Sequence, residues 1–266
     1  MSDDEAGVLI VSILVTIGSW GAWYIAPAFV RRVGPPPWGS VLLQLTPLGA
    51  GAMLWFVLRT ASAHDVRDDP TYLMLYLLLG AAWVGVWIRL LAMTGISRRD
   101  DVVERSNSSA ALAIAGAMLG ITLCYAGGNI GDGPGWWVVV FSAGLSTVAF
   151  FATWMVLEIV SGVSDTVTVD RDLSGGLRLA AFLIACGIIL GRGVAGDWIS
   201  GEATVRDFAL TAWPVIVLVA VAAIVERLAR PTPDTPRPAV VPYGIFPALL
   251  YIAGAAYHVM RLGLPV

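Results

Sequence analysis

An all-α polytopic transmembrane bundle of about eight helices is the fold class this sequence predicts, and three observations predict it. Hydrophobic residues make up 58% of the chain and charged residues 13%, against roughly 45–50% and about 25% in soluble globular domains. Eight separate stretches reach the ~20 mostly apolar residues that a helix needs to cross the bilayer core. The segments between them, such as "GPPPWG", "HDVRDDP" and "RPTPDTPRP", are too short to hold a soluble domain. An ordinary soluble enzyme is excluded.

The predicted spans are residues 7–30, 39–58, 72–94, 108–127, 136–158, 177–196, 208–228 and 242–262. The first follows Asp3, Asp4 and Glu5 without the basic region of a signal peptide, so it reads as a retained span. The second contains Pro47 and a Gly-rich middle, which predict a kink or a break. Arg89 lies near the end of the third, where a long side chain snorkels to the headgroups. The fourth opens with Asn107 at the N-cap position, whose side chain can satisfy free backbone N–H groups. Along its face run Ser109, Ala113, Gly116, Gly120, Cys124 and Gly127 at three- or four-residue spacing. Small residues in that pattern let helices approach closely in lipid. The fifth span ends on Glu158. The sixth repeats the small-residue device with Gly176, Ala180, Gly187 and Gly191, carries Arg178 in its first turn and Arg192 near its far end, and has Asp172 in the capping position. The seventh ends near Glu226, and the eighth contains His258.

Charge placement gives the expected orientation. Net charge is −3 and every basic residue is Arg, so no cationic surface for nucleic acid is visible. Arg31 and Arg32, then Arg98, Arg99 and Arg105, then Arg171, then Arg227, Arg230 and Arg237 fall in alternate connections, which the positive-inside rule places in the cytoplasm. Both termini are then outside the cytoplasm. Trp136, Trp137 and Trp198 at predicted outer boundaries, and Trp38 at an inner one, read as interfacial anchors. Cys124 and Cys186 lie in apolar runs and behave as small hydrophobes.

Two stretches resemble each other: "VERSNSSAALAIAGAMLGITLCYAGGNIGDGPGW" and "VDRDLSGGLRLAAFLIACGIILGRGVAGDW". Each passes from a charged cluster through small residues into an Ala/Gly-rich span and leaves through a Gly/Asp/Trp exit. Both start on the same side, so they are expected to be parallel repeats, at about 101–160 and 165–228. The expected organisation is an N-terminal helix pair over 1–70, a membrane domain with the two repeats over 71–230, and a Pro-rich loop with a final helix over 231–266.

On these residues, "ERSNSSAALAIAGAMLG" and "DLSGGLRLAAFLIACGIILGRGVAGDW", the chain resembles the YjfL-type bacterial inner-membrane proteins, an uncharacterised family with one or two such units. The similarity covers about residues 72–230. Ser-Asn-Ser-Ser stands here where the family commonly has Gly-Asn and a small residue, and Asp172 stands in place of Asn. The resemblance implies a bacterial inner-membrane protein, often encoded beside membrane-stress, phage-shock-like or polyamine-related genes.

No GxSxG elbow, Walker loop, HExxH motif or metal-ligand cluster occurs. His64 and His258 are not placed at matched depth for haem, and no cofactor is expected. The expectation is a non-enzyme. "GISRRDDVVER" reads as a solvated loop. Charges within spans are costly and mark candidate sites. Glu158, Arg178, Arg192 and Glu226, with Asp170, Asp172 and Asn107, form the candidate polar cluster or ion path, and Glu158 with Arg178 is the expected ion pair. Snorkelling and capping are the structural alternatives. Gly116, Gly120, Gly187 and Gly191 are assigned to helix packing. The leading functional expectation is a structural or interaction protein, in envelope-stress response or as part of a membrane complex. Its partners are the lipid bilayer and other membrane proteins or further copies of itself. The alternatives are a small-ion or solute transporter with a path between the repeats, and an accessory subunit of a cofactor-carrying complex.

Overall fold

The computed structural model describes residues 1–29, 38–235 and 238–263. Arg31, Arg32 and Arg237, used above for orientation, lie outside the described residues. Every element longer than an isolated bridge is helical among the described residues. The long helices are α1 (Asp3–Ile25), α2 (Trp38–Thr60), α4 (Pro70–Trp87), α5 (Ser108–Gly127), α6 (Trp136–Ser161), α8 (Leu173–Gly193) and α11 (Phe246–Leu262). Short helices α3 (His64–Asp68) and α7 (Val163–Thr168) lie between them, and α9 (Gly201–Ala212) and α10 (Pro214–Ala229) form a bent pair. Seven described helices, extended in places by adjoining turns, are long and apolar enough to span a membrane, or eight if the bent pair is one span. The chain is thus an all-α polytopic bundle.

Three spans depart from the sequence expectation. Pro47 does not break α2, which runs unbroken from Trp38 to Thr60; neighbouring helices stabilise a proline-bearing span where propensity alone would interrupt it. The seventh span is bent instead of straight, by 41° at Trp213, because Pro214 lacks an N–H and begins a new helix at its first position. The sixth begins at Leu173, four residues earlier than expected. Asp172 caps it by accepting from the Ser174 and Gly175 amides, and packing carries the Ser-Gly-Gly start into the helix despite its weak propensity. The charged stretch read as a solvated loop is also ordered. Arg98–Glu104 is a π-helical turn with Asp101, Val102 and Val103 buried.

Burial separates a centre from a periphery. In the most apolar windows of α5 and α8, 83% and 78% of residues are buried, against 17% in α1 and α11. α5 and α8 lie side by side and run in the same direction. Ser109 Oγ donates to the Asp172 carbonyl at one end (2.6 Å), and Gly127 meets Gly191 at the other. α2, α4 and α6 pack around α5, whereas α6, α10 and α11 pack around α8. α1 closes the first side against α4.

The seam between α5 and α8 is made of backbone. A Cβ on Gly187 would stand 2.6 Å from the Gly120 carbonyl oxygen, and one on Gly191 would stand 2.5 Å from that of Leu123. Gly116 lies against the Ala180 main chain, and Gly120 against the Leu183 carbonyl and the Phe150 ring. Any larger residue would push the helices apart, forfeiting van der Waals contacts that are individually tiny but many.

Candidate functional site

Arg178 stands six residues into α8 with its side chain wholly buried. Burying a guanidinium is costly unless its donors are matched. Here Nε donates to Glu226 Oε1 at 2.7 Å and Nη2 to Glu226 Oε2 at 2.8 Å, the bidentate fork that arginine geometry favours. Nη1 donates to the Tyr243 carbonyl at 2.5 Å. Asp172, the residue that caps α8, adds a carboxylate oxygen 3.8 Å from Nη2. One side chain on α8 therefore holds α10 through Glu226 and the π-helical turn Val241–Ile245 through Tyr243. Beside this group the buried hydroxyl of Tyr251, on α11, has no hydrogen-bond partner among the described residues.

This overturns the expected Glu158–Arg178 pair. Glu158 instead accepts from the Ser164 amide at 2.9 Å and the Ser164 hydroxyl at 2.6 Å. The reason is local: Gly162, in a left-handed conformation, turns the chain straight from α6 into α7. That turn brings Ser164 back to the carboxylate, and the chain end nearest Arg178 is left to α10. Arg192 is also apart from the cluster. It lies in the last turn of α8 and its Nε donates to the Gly263 carbonyl at 2.8 Å. Asp170 is exposed and outside the group. Asn107 caps α5 by accepting from the Ser109 and Ala110 amides, while its Nδ2 donates to the Val167 carbonyl at 2.8 Å. His258 Nε2 bonds the Thr211 carbonyl (2.8 Å).

The two caps match in detail. Asn107 and Asp172 are 65 residues apart, and so are Ser106 and Arg171, the two non-glycine residues with positive φ (55° and 53°) among those described. The amide of Asn107 donates to Asp101, and that of Asp172 to Thr166. At the far end Gly131 and Gly196, again 65 residues apart and both with positive φ (99° and 134°), turn the chain. There the Gly196 amide donates to the Ile130 carbonyl, the Trp198 amide to the Asp132 carbonyl, and the Asp132 amide to Asp197 Oδ1. Matching the "VER" and "VDR" triplets would slip this correspondence by one residue. The polar caps, not the charges, carry the register.

Sequence reasoning missed a second feature. Arg98 Nη2 donates to the Trp23 carbonyl at 2.6 Å, and its guanidinium lies 3.7 Å from the Trp23 ring centroid. Nothing in the local pattern of either residue announces a contact across 75 positions.

No curated protein and no solved structure matches this chain. The model of a family described as a domain of unknown function, DUF350, matches residues 60–194. That match begins at the end of α2 and stops just after α8, short of the 72–230 expected at its C-terminal limit. It takes in both capped helices and the seam between them, and it covers just over half of the chain. The chain belongs to the DUF350 family.

Proposed function

We propose that this protein is a structural or interaction component of the bacterial inner membrane, working in envelope-stress response or as part of a membrane complex, with both termini outside the cytoplasm. Two copies of one helix-pair unit form its core. The observation that carries the reading is the closed seam: α5 and α8 touch through glycine backbone along their length, leaving no room for a path between the copies. Of the charges through which a path would run, Arg178 and Glu226 are bonded to each other, Glu158 is held by Ser164, and Arg192 lies at the other end of α8. Meanwhile α1 and α11 present long apolar faces, including Leu14, Ile17, Leu249 and Tyr257, to lipid or to partner helices. The internal match at 65-residue spacing supports the two-copy reading, and the alternating Arg-bearing connections support the orientation.

Cross-linking in native membranes at rest and under envelope stress tests it. Specific membrane partners, or further copies of the chain, are expected in the cross-linked product. Recovery of the protein alone in both conditions, together with ion flux in liposomes that Arg178→Ala alters, would replace this reading with transport.

A further inference from the structure

At the end of the bundle where α5 and α8 begin, a cleft lies between the outer helices. α1 and α4 are in close contact at Ser19 and Gly85, where a Cβ on the glycine would stand 2.6 Å from that of the serine. Just beyond, both tighten. α1 gives way to the tight turn Ala26–Phe29 and α4 to the 3₁₀ stretch Ile88–Thr94. Residues of both line this cleft of about 540 Å³, within the ~300–1,000 Å³ of small-molecule sites.

The cleft has an apolar floor and a cationic mouth. Trp23, Ile88 and Ile114, all buried, form the floor with the half-buried Trp20. Both indoles are fixed, since Nε1 of Trp20 donates to the Ala81 carbonyl (3.0 Å) and that of Trp23 to the Leu43 carbonyl (3.1 Å). Arg89, Arg98 and Arg99 also line the cleft, and no carboxylate does among the described residues. Arg89 Nη2 is tethered to the Gly18 carbonyl (3.1 Å) and Arg98 to Trp23, so both cations are held beside the opening. Arg99 makes an exposed pair with Glu104, which solvent weakens.

We propose that this cleft binds one acidic phospholipid, an acyl chain lying against Trp20 and Trp23 and the phosphate meeting Arg89 and Arg98. Arginine suits phosphate through its fork of donors, and basic pockets between spans select anionic headgroups. A zwitterionic lipid offers the same chains, so selectivity resides in the net charge of the head.

The test is native mass spectrometry of the full chain, purified in detergent and given equal amounts of phosphatidylglycerol and phosphatidylcholine with identical chains. One phosphatidylglycerol per chain should be retained at least about tenfold over phosphatidylcholine, the effect of two held cations. Arg89→Gln should lower that retention about fivefold, and Ala92→Trp, which sets an indole at the wall of the cleft, should lower it as well. Unfolding temperatures of both variants without lipid show that they are folded, and the wild-type selectivity stands as a test if either is not. Equal retention of the two lipids, or unchanged retention in Ala92→Trp, would overturn the proposal. So would inorganic phosphate alone raising the wild-type unfolding temperature as much as phosphatidylglycerol does. These results leave the cross-linking test of the structural reading untouched.

Discussion

Where α8 carries Arg178, α5 carries Ala113, 65 residues earlier, and where α10 carries Glu226, α6 carries Ser161. Ala113 is wholly buried among apolar neighbours, and Ser161 Oγ bonds the Leu157 carbonyl in its own helix. The charge pair is therefore present in one half of the core as a complete pair and absent from the other as a complete pair. The helices that follow differ in the same sense. α6 is a single helix of 26 residues, whose Ser146 bonds the Cys124 carbonyl and whose Phe150 packs on Gly120. The helix that follows α8 is broken into α9 and α10, and only 16 residues remain in the piece that returns to the cap end. The comparison teaches what a buried charge pair does here: it pins the shorter helix, and with it the turn before α11, at the place where the longer helix of the first half needs no pin.

The largest effect should come from breaking the pin on one side. Arg178→Ala leaves Glu226 buried without its partner and should cost about 3–5 kcal/mol, read as a lowered unfolding midpoint in detergent. Ala113→Ser, 65 residues earlier in α5, has no charge to orphan and should move the midpoint far less. Next in size is the seam shared by both halves. Gly187→Ala forces a methyl group against the Gly120 carbonyl and should cost about 1–3 kcal/mol by overpacking. Gly254→Ala in α11, where nothing lies within 4 Å of the added Cβ, should not destabilise the fold and serves as the control in the same melt.

The caps come next. Asn107→Ala and Asp172→Ala should each cost ~1 kcal/mol, up to about 2, detectable as faster amide exchange in the first turns of α5 and α8. Asn107→Asp should retain the cap but lose the Nδ2 donation to Val167, so α7 should exchange faster while α5 stays protected. The smallest expected effect is Glu158→Gln. The amide keeps an acceptor for Ser164 at this half-buried position, and the midpoint should shift by less than about 1 kcal/mol, typical of substitutions away from a buried network. A loss as large as that of Arg178→Ala would return Glu158 to the charge cluster.

Much of the fold was legible because lipid simplifies the rules. Composition and span length identify a helical bundle, and the small-residue spacing around Gly116, Gly120, Gly187 and Gly191 locates a face able to come close to another. Asn107 and Asp172 were legible as caps, because a polar residue before an apolar run has a local job. The ion pair was not. Glu158 and Glu226 both end spans near the same boundary, and choosing between them as partner for Arg178 requires knowing where α6 turns. That turn is set by Gly162 and by Ser164 behind it, a backbone detail that hydropathy does not contain. The bend at Trp213 was within reach, since Pro214 marks it. Pro47 marks nothing similar, however, and what distinguishes the two is packing.

A double-mutant cycle on the charge pair tests the central claim most directly, that Arg178 and Glu226 form a structural pin between α8 and α10. Equilibrium unfolding of purified protein would be measured for Arg178→Met, Glu226→Leu and the double variant. Each single change should destabilise strongly, and the double should recover most of the loss, because an apolar pair of similar volume replaces a buried ion pair at little or no cost. A double variant whose loss equals the sum of the two singles would show that the charges act independently, and would contradict the account.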